Sequence, residues 1–100
     1  MGTTFTAALA MSLNSRVPLV LDGGLGTALE TRGVALDHDL WSAGLLRDDP
    51  HTLAEVHAAF AAAGADIVTT ASYQLSTRAG LSEAEVRRLA AASVDIARRA

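Results

Sequence analysis

The sequence contains no cysteine, so neither a disulfide nor a thiolate metal centre can form within these 100 residues. Aromatic side chains are nearly as scarce: one tryptophan, one tyrosine and two phenylalanines. The core must therefore be built from alanine, leucine and valine. No apolar run approaches the ~20 residues needed to span a bilayer, because charged residues interrupt each one. Basic residues are neither abundant nor clustered; eight of them against eleven acidic ones give a net charge of −3 with histidines neutral. A nucleic-acid footprint needs Lys and Arg gathered on one face, so this pattern argues against nucleic acid as a partner. What remains is a chain with 50% hydrophobic residues, a composition that folds rather than stays disordered.

The N-terminus carries two patterns with plainer alternatives. Ala7-Ala8-Leu9-Ala10-Met11-Ser12-Leu13 resembles the apolar core of a signal peptide, but no basic residue precedes it and Arg16 follows it. Met1-Gly2-Thr3-Thr4-Phe5-Thr6 fits the N-myristoylation pattern, which is short enough to arise by chance. Residues 1–16 are read as a weakly helical lead-in.

The chain is organised around Leu19-Val20-Leu21-Asp22-Gly23-Gly24-Leu25-Gly26-Thr27. A short apolar run ends in one carboxylate, and glycines then turn the backbone into a helical pattern, as at the end of a buried strand. Asp66-Ile67-Val68-Thr69-Thr70-Ala71-Ser72-Tyr73-Gln74 repeats the design, with a β-branched run whose polar residues fall at its carboxyl end. Strands over about Leu19–Asp22 and Asp66–Ala71, joined by a helix, make a right-handed βαβ unit with parallel strands. Asp22 and Thr70 then share one rim, where α/β folds keep their ligands.

The helices are well marked. Thr27 to Arg32 reads as a short helix closed by Gly33. Asp49 is a good N-cap, Pro50 suits the first helical position and Gly64 closes the far end. Leu53, Val56, Phe60 and Ala63 give that helix one apolar face. Ser82-Glu83-Ala84-Glu85 is a capping box flanked by a Leu81/Val86 staple. Val86, Leu89, Ala90, Ser93, Ile96 and Ala97 form the buried stripe of the last helix, and Arg98 and Arg99 suit its C-terminal dipole. Between Val34 and Asp49 lies a long connection holding Trp41, read as a hydrophobic plug under the loop.

Several constellations have bland explanations. The glycine cluster lacks the third glycine of a dinucleotide fingerprint and the acidic residue about twenty positions on, and no Walker Gly-Lys-Ser/Thr is present. Asp37-His38-Asp39 has the residue types of a metal site, but adjacent loop residues point in different directions. His51 and His57 do not share a helical face; His51 is read as a first-turn residue and His57 as a surface side chain. No serine or threonine has a context that would activate it as a nucleophile. Asp22 stands apart, because a carboxylate closing a buried strand needs a cation or several N–H groups to satisfy it. Two readings fit it: an Asx-turn onto the N–H of Gly24 and its neighbours, or a ligand contact.

Taken together, the residues resemble the start of the homocysteine S-methyltransferase family. The matching pieces are Leu21-Asp22-Gly23-Gly24-Leu25-Gly26-Thr27-Ala28-Leu29-Glu30, Leu40-Trp41-Ser42-Ala43, Ala63-Gly64-Ala65-Asp66-Ile67-Val68 and Thr70-Ala71-Ser72-Tyr73-Gln74. The Trp-Ser and Ala-Ser-Tyr-Gln details are most similar to the branch using S-methylmethionine or S-adenosylmethionine. The resemblance implies an α/β fold, the first two βα units of a (β/α)8 TIM barrel, with residues 17–100 as the N-terminal part of a homocysteine-binding domain. It implies a cytoplasmic enzyme of methionine synthesis that moves a methyl group from a sulfonium donor to the homocysteine thiol. It also implies a zinc ion held by three cysteines, whose coordination deprotonates that thiol. Carried onto this chain, Asp22 receives the homocysteine amino group, Thr70 and Ser72 lie against the substrate, and Gly23 and Gly24 let it approach the backbone.

The chain departs from that pattern in two places. It has no cysteine to hold zinc, and Leu75-Ser76-Thr77-Arg78-Ala79 is several residues shorter than the usual segment. It is accordingly read as an N-terminal fragment, inactive in methyl transfer by itself, with no metal ligand and no catalytic residue of its own. The competing readings are a non-catalytic remnant that pairs its open sheet edges with another polypeptide, and a small nucleotide-binding α/β module with phosphate affinity at Gly23 to Gly26.

Overall fold

The structure, a computed structural model, describes residues 5–36 and 40–100, apart from the side chains of Phe5 and Trp41. The readings placed on Met1-Gly2-Thr3-Thr4, on Asp37-His38-Asp39 and on the Trp41 side chain lie outside these residues. Helices dominate: α1 (Phe5–Ser15), α2 (Leu25–Thr31), α3 (Leu45–Asp48), α4 (Pro50–Ala62) and α5 (Glu83–Arg98), with 3₁₀ turns at Trp41–Gly44 and Thr77–Ala79.

The centre of the fold is α4, which packs against α2, α3 and α5. Its start follows from the sequence. Pro50 at the first helical position has no N–H to leave unpaired. The Asp49 carboxylate accepts hydrogen bonds from the Thr52 amide at 3.2 Å and the Thr52 hydroxyl at 2.6 Å. Those two bonds, the hydroxyl's first, hold the Asp49 carboxyl below its ordinary range. At the other end Gly64 takes φ +111°, a conformation that side chains strain to adopt. Leu53 and Val56 of α4 are sealed from solvent and join Leu29 of α2, Leu45 and Leu46 of α3, and Leu89 and Ile96 of α5 in one core.

The start of α5 is the capping box expected from Ser82 and Glu85. Ser82 Oγ accepts the Glu85 N–H at 3.1 Å, and Glu85 Oε1 accepts the Ser82 N–H at 3.3 Å. Leu89, Ser93 and Ile96 are the buried stripe. Replacing Ser82 with alanine is expected to cost about 1 kcal/mol, read as a lower urea midpoint at unchanged slope.

The two expected strands are not there. Among the described residues the structure holds no strand and no sheet, so the α/β reading with two βα units is overturned for these residues. One isolated parallel bridge, Leu21 with Ile67, takes their place. Its backbone bonds are Ile67 N–H to the Val20 carbonyl at 3.2 Å and Asp22 N–H to the Ile67 carbonyl at 3.0 Å. In a parallel ladder the next rungs would need the N–H groups of Thr69 and Val20. Both are diverted to side chains. Thr69 N–H donates to Asp22 Oδ2 at 2.9 Å, and Val20 N–H donates to Asp66 Oδ2 at 2.9 Å. Short carboxylate side chains compete with backbone ladders in this way. The bridge also has open surroundings, with Val20 51% and Leu21 63% exposed, so apolar burial does not lengthen it.

Candidate functional site at the bridge

The bridge nonetheless brings the two polar segments together. Asp22 lies at its edge, half-buried, and its carboxylate is fixed across the chain gap by a single residue. Thr69 Oγ1 donates to Asp22 Oδ1 at 2.9 Å while the Thr69 amide occupies Oδ2. The carboxylate is therefore not the cap of a turn onto Gly24; its partners come from the second segment. Each ionised oxygen accepts more than one hydrogen bond, so one bond to each leaves capacity for a donor arriving from solvent.

Gly23 and Gly24, beside it, are exposed. For Gly23 the missing side chain has a packing reason as well, since a Cβ there would lie 2.9 Å from Phe60 Cε1 of α4. A Gly23→Val substitution is expected to displace the Phe60 ring and cost roughly 1–3 kcal/mol, measured by thermal unfolding. On the second segment Thr70 and Ser72, both half-buried, join their hydroxyls at 2.7 Å. One hydroxyl of such a pair donates and the other keeps its proton for a further acceptor.

Two residues at this place were not singled out by sequence reasoning. Thr69 is one; its signal was its position two residues after the bridge residue, where the next ladder donor falls. His57 is the other, and its expected place on the helix surface is corrected. The ring is 0% exposed, and neither nitrogen has a hydrogen-bond partner. The signal was present, because Leu53, His57 and Phe60 follow at spacings of four and three and share a helix face. Burial holds the His57 imidazole below its usual value, and the nearby negative charge of Asp22 partly offsets this. His51, by contrast, is exposed and reaches Glu55 at 2.8 Å.

With this geometry in hand, comparison with known proteins gives the family. Residues 19–100 match the sequence profile described as homocysteine S-methyltransferase. The homocysteine S-methyltransferase YbgG of Bacillus subtilis is 48% identical over 83 residues, covering 79% of this chain and 26% of that protein. The selenocysteine methyltransferase of Astragalus bisulcatus is 44% identical over 85 residues, 81% of this chain and 25% of its own length. Among solved structures, the metallated form of the homocysteine methyltransferase MmuM from Escherichia coli superposes with a TM-score of 0.76 at 39% identity, over 88% of this chain and 32% of that one. The chain belongs to the homocysteine S-methyltransferase family. It spans about a quarter of the length of the curated relatives it matches.

The metallated relative raises the question of a metal here. The sequence has no cysteine, and among the described residues no three His, Asp or Glu side chains gather where they could hold an ion. The described residues do not fit a metal. Among the described residues no helix is long and apolar enough to cross a membrane.

Proposed function

We propose that these residues form the amino-acid-binding rim of a homocysteine S-methyltransferase, acting in the cytoplasm in methionine synthesis. The reaction joins the homocysteine sulfur to a methyl carbon, breaks that carbon's bond to a sulfonium sulfur, and releases the thiol proton to solvent. The products are methionine and a neutral thioether. A zinc ion would need thiolates from outside these 100 residues.

The observation that carries this reading is the Asp22 carboxylate, held by the amide and hydroxyl of Thr69 beside two residues without side chains. An ammonium group fits such an acceptor as a charge-assisted hydrogen-bond donor. Thr70 and Ser72, paired at 2.7 Å, offer a hydroxyl to the other end of the amino acid. The bare backbone at Gly23 and Gly24 gives the ligand room to lie against the chain. A carboxylate fixed before the ligand arrives costs less to order on binding than a mobile one.

The test is residue-resolved NMR of the chain titrated with L-homocysteine. Amide shifts are expected at Asp22–Gly24 and at Thr69–Ser72 together. Shifts confined to other residues, or none at millimolar ligand, would overturn the assignment. The same titration with inorganic phosphate separates out the nucleotide-module reading, which requires shifts at Gly23–Gly26 instead.

A further inference from the structure

Nothing in the proposed chemistry uses His57, yet its placement is hard to explain by packing alone. A neutral imidazole carries one donor and one acceptor, and burying both without partners is unfavourable. An apolar side chain of similar size would avoid that cost. His57 shares the α4 face of Phe60, whose ring edge closes on the Gly23 position from one turn further along. The imidazole thus lies buried on the α4 face whose Phe60 meets Gly23, the residue next to Asp22.

We propose that His57 is a positioning residue for Asp22: while neutral it leaves the carboxylate's charge directed outward to a ligand ammonium, and on taking a proton it competes for that charge and weakens the site. This rests on the reading of Asp22 as the acceptor of an amino group. The direction of the interaction agrees with the site's electrostatics, since Asp22 is the charge that acts on His57. Charges on the elements packed against α4 are engaged elsewhere or exposed. Arg32, just past the end of α2, pairs with Glu55 at 3.0 Å, Arg47 of α3 with Asp48 at 2.9 Å, and Glu85 of α5 closes the capping box. Glu30 of α2, and Glu83, Arg87, Arg88, Asp95 and Arg98 of α5, are exposed. On α4 itself His51 and Glu55 are exposed and joined to each other.

A protonated His57 also costs folding stability. Its folded value lies below the unfolded one, so the unfolded chain binds the proton more readily. Stability is then full above the ordinary histidine value of about 6.5 and falls as pH drops through that value towards the folded one. His57→Gln, which keeps a neutral polar group, is expected to lose this acid-side fall in urea midpoint.

Two measurements test the coupling. The first follows His57 alone, by NMR titration of its ring nitrogens and protons. In Asp22→Asn the His57 midpoint is expected at lower pH than in the wild type, because the charge that favours the imidazolium is gone. Thr69→Val is the second variant should that one fail to fold; it frees one Asp22 oxygen and is expected to raise the midpoint. An unmoved midpoint overturns the proposal whether or not any ligand binds. The second measures L-homocysteine affinity from pH 7 to pH 5. The wild type is expected to lose about tenfold, and His57→Gln to show no such acid limb. An identical loss in both overturns the proposal. Absence of homocysteine binding at any pH contradicts the proposed function instead, and the NMR titration then decides the coupling by itself.

Discussion

Leu53→Ala is expected to remove about 2–5 kcal/mol of folding stability, a large part of the 5–15 kcal/mol typical of a domain. Leu53 is fully sealed from solvent on the helix that contacts α2, α3 and α5 together. Truncation there loses the transfer energy of the removed carbons and leaves a cavity, because three helices cannot all move inward at once. The substitution should lower the urea midpoint at nearly constant slope. Val94→Ala, at a position 38% exposed on α5, is the matched comparison and should change stability by about 0.5 kcal/mol or less. Equal effects from the two would mean that α4 is not the centre of the core.

The second large effect is at Asp22. Asp22→Asn keeps the shape but puts an amide NH₂ where one oxygen now accepts a hydrogen bond from Thr69. It also removes the negative charge. Hydrogen bonds to charged groups contribute about 1.5–3 kcal/mol each, so affinity for an ammonium ligand should fall roughly 10- to 100-fold. Because the same carboxylate ties the bridge segments together, the urea midpoint should fall as well. The two effects separate cleanly. A chain that loses homocysteine affinity in proportion to its loss of folded protein has lost structure; one that loses affinity while remaining folded has lost the acceptor. Thr69→Val supports the division, since it removes one internal hydrogen bond without touching the charge.

Much of this molecule could be read from its residues, and the successes share a cause. Asp49-Pro50 and Ser82 with Glu85 are signals that act within a few residues, so no distant contact can override them. The apolar stripe of α5 likewise needs only the helical repeat. The failures share the opposite cause. The apolar runs at Leu19–Asp22 and Asp66–Ala71 predict strands, but a strand exists only through a partner's N–H and C=O groups. Here two carboxylates, Asp22 and Asp66, capture the donors that would have extended the ladder. No local pattern announces that capture. The sequence places Asp22 and Thr70 on one rim; a single parallel bridge joins their two segments, and the residue that bonds Asp22 there is Thr69. His57 departs from expectation for a third reason: its polarity suggests the helix surface, while its spacing from Leu53 and Phe60 puts it inside.

The measurement that bears most directly on the rim as a receptor for an amino group is a calorimetric titration with two ligands that differ only there. L-Homocysteine carries an ammonium, a carboxylate and a thiol; 4-mercaptobutyrate keeps the carboxylate and the thiol and lacks the ammonium. If Asp22 accepts that group, homocysteine binds the wild type at least about tenfold more tightly than 4-mercaptobutyrate, and Asp22→Asn abolishes the difference. Equal affinities in the wild type, or a preference that persists in Asp22→Asn, would contradict it and leave Asp22 as a clamp for the bridge.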